Sequence, residues 1–350
     1  MVAVQKCKAA ILEKIREPLV IRELDIPQLH PNQVLVKVMF SGVCRSQLME
    51  VDGCRGDDQW LPHLLGHEGS GVVVDVGSSV KKISIGDGVI LGWLEGEGGD
   101  APGAKYKFGD RTINSGKVTT FSNYTIVSEN RLFKKPNHIA FDAAVLYGCA
   151  LPTGAGMVFN QAKPNPEDSV AILGLGGVGY SALMAAKALG VKKLIAIDIS
   201  EEKLVVAKSL GATHILNPRN SQFMQNMANL TDGGVDFCIE SAGTVETIEL
   251  GFSLTRFSGG KLYFASHPPD GELIRLSPHD LIKGKQIIGS WGGGSAPDRD
   301  IEKISTKFHI AKINYNPLIT KRYPLELINE ALKDLKEGRV FRPLIEMSHE

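Results

Sequence analysis

The chain has 350 residues, more than one hydrophobic core usually serves, so two domains are expected. Its 39 basic and 39 acidic side chains cancel, which leaves no global field for nucleic acid or an anionic membrane surface. No apolar run approaches the roughly 18 residues of a membrane span, and 1–18 intersperses Lys6, Lys8, Glu13, Lys14, Arg16 and Glu17 among its apolar residues, unlike a signal-peptide core. The expected location is cytoplasmic, with no nucleic-acid or membrane partner.

Up to residue 150 the chain reads mainly as strands and turns. Segments 34–38 and 71–77 have the β-branched density of strands, and 83–90 reads as a turn leading into another. The glycine- and charge-rich stretch 92–116 is expected to be a loop or lobe with little core of its own. Its polar residues, Glu95, Glu97, Asp100, Lys105, Lys107, Asp110 and Arg111, fit a solvated face, or the border of a pocket for a sugar, cyclitol or other polyol. Trp60, Trp93, Tyr147 and Trp291 are candidates for a pocket wall or for core. From residue 154 helices and strands alternate. Helical signals occupy 181–189 and 201–210, and strands are expected at 193–198, 236–240 and 261–265, the order of a parallel sheet with crossover helices.

The run 170–198 carries the sharpest chemistry. A short apolar strand enters Gly174-Leu175-Gly176-Gly177-Val178-Gly179, a helix follows, and a second strand ends in Asp198. Gly174 permits a tight turn, Gly176 lets backbone approach a pyrophosphate, and Gly179 lets the helix pack closely on the strand. A pyrophosphate there meets the helix N-terminus, where unpaired N–H groups and the dipole favour an anion. Asp198 is placed to accept from an adenosine ribose and to repel a 2′-phosphate, which points to NAD; Ile199 and Ser200 follow it where an arginine would receive that phosphate.

Five cysteines, Cys7, Cys44, Cys54, Cys149 and Cys238, are too scattered for a disulfide framework. Cys7 and Cys238 lie in short apolar stretches and read as small buried hydrophobes, and Cys54 lies in a loop. Cys44 and Cys149 differ, because with His67 and Glu68 they supply two thiolates, an imidazole and a carboxylate, a set suited to zinc with three fixed ligands and one open position. Their spacing alone does not show that they converge.

Gly42-Val43-Cys44-Arg45-Ser46, Gly66-His67-Glu68-Gly69, Gly148-Cys149 and the glycine turn follow one another in the order and spacing of a known family. Val235-Asp236-Phe237-Cys238-Ile239-Glu240 and Lys283-Gly284-Lys285-Gln286-Ile287-Ile288-Gly289 fit it as well. Along nearly its whole length the chain resembles the medium-chain dehydrogenase/reductase superfamily, in its zinc-dependent alcohol dehydrogenase branch. The resemblance implies an α/β fold with a Rossmann doubly wound parallel sheet as coenzyme domain and a mainly β, GroES-like catalytic domain. The catalytic domain is expected at 1–153 and 291–350 and the coenzyme domain at 154–290, with the active site in the cleft between them.

By the same resemblance Cys44, His67 and Cys149 are catalytic zinc ligands, Glu68 is the acid beside the metal, and Ser46 takes the alcohol proton. Arg45 and Arg342 would clamp the pyrophosphate, and Thr153 and Val178 would approach the nicotinamide. Lys203 would reach the adenosine ribose, and Gly174, Gly176, Gly177 and Gly179 would line the turn. The implied reaction is hydride transfer between an alcohol or carbonyl substrate and NAD(H), with zinc as Lewis acid, in a homodimer or homotetramer. Two departures stand out. No cysteine lies in 92–130, where many relatives carry a structural-zinc cluster, so one zinc per chain is expected. The position where relatives end a proton relay with histidine is Met49, and the acidic position after the relay hydroxyl is Gln47, so the proton must leave through water, another residue or the ribose. A polyol, sugar or cyclitol dehydrogenase is the alternative within the mechanism. A zinc-free quinone or enoyl reductase and a non-enzymatic NAD-binding protein are the alternatives outside it.

Overall fold

The apolar, valine-rich run Gln33–Gly42 builds a long, largely buried strand at the centre of the first of two units. The computed structural model describes residues 4–349. The first unit comprises the chain up to Cys149, Ala296–Arg299 and the chain from Leu318 onward; the second comprises Ala150–Ser295 and Asp300–Pro317.

In the first unit Gln33–Gly42 lies between Gly69–Val76 and Arg342–Glu346, both antiparallel to it, in a seven-stranded sheet. A closed barrel joins Lys6–Leu12, Val20–Asp25, Lys105–Phe108, Arg111–Asn114 and His63–Leu64. The stretch expected to be a lobe with little core therefore contains a hairpin. Its strands alternate, with Lys105, Lys107 and Arg111 outward and Tyr106 and Ile113 fully buried, the period-2 pattern of a strand with one face in a core. The Tyr106 hydroxyl accepts from Ile126 N at 2.7 Å, which satisfies its polar tip. The rest of the stretch hangs on carboxylates. Glu129 Oε1 accepts from Lys81 N and Lys82 N, each at 2.6 Å, and Oε2 accepts from Gly99 N at 2.6 Å. Asp298 Oδ2 accepts from Glu97 N at 2.7 Å.

The second unit is a six-stranded parallel sheet in the order His214–Leu216, Lys193–Ile197, Ser169–Leu173, Phe237–Glu240, Lys261–Phe264, Gln286–Gly289. Counted along the chain this is the 3-2-1-4-5-6 order of a doubly wound sheet, and its switch point falls between Ser169–Leu173 and Phe237–Glu240. Ser169–Leu173 is buried throughout, as a parallel strand covered on both faces must be. The first crossover helix, Gly177–Ala188, begins inside the glycine motif, beside Val178 where the glycine spacing places its start. The second, Glu201–Ser209, is capped by the Ser200 side chain, which accepts from Lys203 N.

The units divide the chain differently from the expected boundaries, since 150–153, 291–295 and 300–317 group with the parallel sheet. The segment 300–317 anchors its side chains onto the π-helical segment Met157–Ala162. Phe308 meets Phe159 edge-on at 6.2 Å, Lys303 Nζ donates to Asn160 Oδ1 at 2.6 Å, and Asn160 Nδ2 donates to Asp300 Oδ2 at 3.0 Å. All five cysteines are free, and burial pushes the Cys7 thiol up to about 12. No single helix among the described residues is long and apolar enough to cross a membrane.

Candidate metal centre and dinucleotide turn

Three separate pieces of the first unit bring the candidate ligands together. Cys44 is the extended residue that precedes the short helix Arg45–Val51. His67 follows the strand His63–Leu64, and Cys149 interrupts two helical turns, after Val145–Gly148 and before Ala150–Gly156. Gly148 makes this approach possible, because a Cβ there would stand 2.4 Å from the Leu91 carbonyl and 3.0 Å from Glu68 Cα. One ligand atom from each of Cys44, His67 and Cys149 lies within 4.8 Å of the others. Two sulfurs and an imidazole nitrogen at this separation fit zinc in composition, and three protein donors leave a fourth position open.

The electrostatics of the group agree with a cation site. A hydrogen bond with Cys149 holds the Cys44 thiol well below its ordinary value; burial opposes this, and Arg342 and His67 reinforce it. Cys149 is pushed well above its own by the same hydrogen bond and by burial. Burial draws His67 down, but its hydrogen bond to Cys44 and the charges of Cys44 and Glu68 outweigh that and raise it. Glu68 is fully buried and raised by burial against the pull of Arg342. Its Oε1 accepts from Arg342 Nη1 at 2.6 Å, while Oε2 is buried with no hydrogen-bond partner.

Arg342, expected to clamp the pyrophosphate, donates to Glu68 beside the candidate ligands. It is 3% exposed, with one guanidinium nitrogen on Glu68, and its charge is retained against burial by Glu68 and the two cysteines. Strand placement puts it there: Arg342 opens Arg342–Glu346, which runs antiparallel to Gln33–Gly42, so the start of the strand lies beside the Cys44 and Glu68 segments. Arg45, the other expected clamp, is exposed. Ser46 Oγ is buried and has no hydrogen-bond partner. Gln47, 3% exposed, places Nε2 at 2.7 Å from His67 Nδ1, a contact that local reading did not foresee. The only local signal was a polar residue facing inward from a short helix.

The dinucleotide candidates lie in the second unit. A Cβ on Gly179 would stand 1.9 Å from the Gly174 carbonyl, so only glycine allows the helix to close on the turn, while a Cβ on Gly176 would meet nothing within 4 Å. Gly176 therefore leaves open room beside the helix N-terminus begun by Gly177 and Val178, a fit for a pyrophosphate. Asp198 Oδ2 accepts from Leu175 N at 2.7 Å and Oδ1 from Ser200 N at 2.9 Å. Asp198 thus shapes the turn. Tyr180 OH donates to the Lys203 carbonyl at 2.9 Å, tying the phosphate helix to the residue expected at the ribose. Thr153 is buried and its Oγ1 has no partner. Of the four aromatic candidates, Tyr147 is core, Trp93 is half-buried, and Trp60 and Trp291 are exposed.

Known proteins resemble the chain along most of its length. Residues 30–137 match the alcohol dehydrogenase GroES-like domain and residues 177–308 match the zinc-binding dehydrogenase family. The benzyl alcohol dehydrogenase of Acinetobacter calcoaceticus is 28% identical, with a TM-score of 0.88 over 99% of this chain and 100% of that one. An alcohol dehydrogenase zinc-binding domain protein from Burkholderia ambifaria is 28% identical, with a TM-score of 0.90 over 98% and 99%. The 2R,3R-butanediol dehydrogenase of Bacillus subtilis is 26% identical, with a TM-score of 0.77 over 97% and 99%.

Proposed function

The chain belongs to the medium-chain dehydrogenase/reductase superfamily, in its zinc-dependent alcohol dehydrogenase branch, and from that premise we propose that it oxidises alcohols, or reduces the corresponding carbonyls, with NAD(H) and one catalytic zinc. The observation that carries the reading is the convergence of Cys44, His67 and Cys149, which would hold the metal. When bound, zinc supplies Lewis acidity toward the substrate oxygen and the nicotinamide supplies the hydride acceptor or donor.

The chain's own residues do the rest. The hydroxyl of Ser46 receives the alcohol proton and hands it to water or ribose, because the thioether of Met49 cannot carry it. Glu68, neutralised by Arg342, places a buried carboxylate beside the ligands and adjusts the field there. Arg45, which is exposed, and Arg342 are the cations assigned to the pyrophosphate. Asp198 selects NAD over NADP by repelling a 2′-phosphate.

The test is absorbance at the NADH band while alcohols, polyols and aldehydes are offered to zinc-loaded protein, with NAD and NADP compared by kcat/KM. Turnover with NAD preferred is expected, and Asp198→Ala should narrow the preference. A wild type that favours NADP would overturn the role of Asp198. A protein purified without chelator that lacks zinc yet reduces quinones would replace the whole reading.

A further inference from the structure

Glu240, the last residue of the strand Phe237–Glu240, is fully buried and plays no part in the reading above. The strand lies beside Ser169–Leu173, so Glu240 sits at the carboxyl edge of the sheet, at the switch point. Its Oε1 accepts from Ala242 N at 2.7 Å, Gly243 N at 2.7 Å and Thr247 Oγ1 at 2.8 Å. A carboxylate withdrawn from water persists only with such donors.

The residues it gathers form a wall of the glycine turn. Ser241 Oγ donates to the Gly174 carbonyl at 2.6 Å and Ser241 N to the Leu173 carbonyl at 2.9 Å. Ala242 presses so closely that a Cβ on Gly174 would lie 2.7 Å from Ala242 N. Thr247 Oγ1 also accepts from Thr244 N at 3.1 Å, so the same carboxylate anchors the capping box that starts the helix Val245–Ser253. An anion near a pyrophosphate site repels the ligand, so attraction cannot be its use. What Glu240 supplies is an oxygen on which a loop is hung.

We infer that Glu240 is a positioning residue for the dinucleotide: its carboxylate oxygen fixes Ala242 and Gly243, and they hold the Gly174–Gly179 turn in the shape that receives the pyrophosphate. The inference rests on the reading that this turn binds a dinucleotide. It further implies that the acceptor matters and the charge does not. Glu240→Gln keeps an oxygen acceptor and drops the charge, whereas Glu240→Leu strands the buried N–H of Gly243 and the part-buried N–H of Ala242.

The experiment measures NADH and NADPH dissociation constants by fluorescence for the zinc-loaded wild type, Glu240→Gln, Glu240→Leu and Thr247→Val, with zinc content and Tm determined in parallel. Glu240→Leu should weaken dinucleotide binding by about tenfold or more, the scale of a buried donor left unsatisfied, with zinc content unchanged. Glu240→Gln should stay close to wild type. Unchanged binding in Glu240→Leu, even with a lowered Tm, marks a merely structural acid and overturns the inference. A loss in Glu240→Gln equal to that in Glu240→Leu also overturns it, in favour of a charge effect. Should Glu240→Leu fail to fold, Thr247→Val decides, weakened binding supporting the inference and unchanged binding overturning it. A wild type that prefers NADPH defeats the Asp198 reading alone, since the variants are then compared on NADPH. One that binds neither dinucleotide defeats both.

Discussion

Ser46 and Gln47 are neighbours on the short helix that Cys44 begins, and the structure gives them different work. The Ser46 hydroxyl is buried without a partner, a position that makes sense once a substrate hydroxyl is beside it. Ser46→Ala should keep zinc and dinucleotide binding yet lower turnover roughly 100-fold, the usual scale for a positioned proton-transfer group. The loss should be greater at neutral pH than at high pH, where hydroxide can take the proton; equal, near-wild-type turnover across that range would return Ser46 to an ordinary loop hydroxyl. Gln47 touches His67 and would act on a bound metal through it. For His67 to ligate through its other nitrogen, Nδ1 must carry the proton and Gln47 must present an oxygen to it. A half-turn of the amide does this by exchanging Nε2 with the buried, unpartnered Oε1. Gln47→Leu should therefore weaken zinc affinity by about 10- to 100-fold in chelator competition, as loss of an outer-shell partner usually does. Unaltered affinity would show that the histidine needs no orientation.

At the scale of the element, the stretch 92–116 is held by acids and by the one buried face of a hairpin, with no cysteine in it. Glu129 is the centre of this arrangement. Burial alone would raise its carboxyl, but the backbone N–H groups of Gly99, Lys82 and Lys81, with the Lys82 charge, outweigh burial and hold it below the ordinary glutamate value. An acid depressed in the folded state stabilises the fold above its unfolded pKa, and that contribution disappears as pH falls through the folded value. Glu129→Gln should lower the urea midpoint at pH 7, because an amide nitrogen cannot accept from all these donors. The gap to wild type should shrink as pH falls below about 4. A gap that stays constant down to pH 3 would mean that the carboxylate charge contributes nothing.

For the whole molecule, Cys44, His67 and Cys149 form the only group of potential ligands gathered to metal-binding distance among the described residues. Elemental analysis should therefore find one zinc per chain, lost in Cys44→Ala and in Cys149→Ser; full zinc in both variants would remove these residues from the metal site. The sequence alone determined the features whose physics is local. Strand, glycine turn, helix and Asp198 lie within one stretch of chain, and the β-branched runs and the change of character after residue 150 follow from short-range pattern. The ligands were legible only through family register, since 44, 67 and 149 carry no mark of their convergence. The tertiary structure alone decided what depends on contacts between distant segments. It paired Arg342 with Glu68 across the sheet, brought Gln47 to His67, and closed a barrel with a hairpin whose charged faces read as a loop. It also hung the wall of the dinucleotide turn on Glu240, because a buried polar group acquires its role from the donors the fold brings to it, and those are set by the path of the backbone.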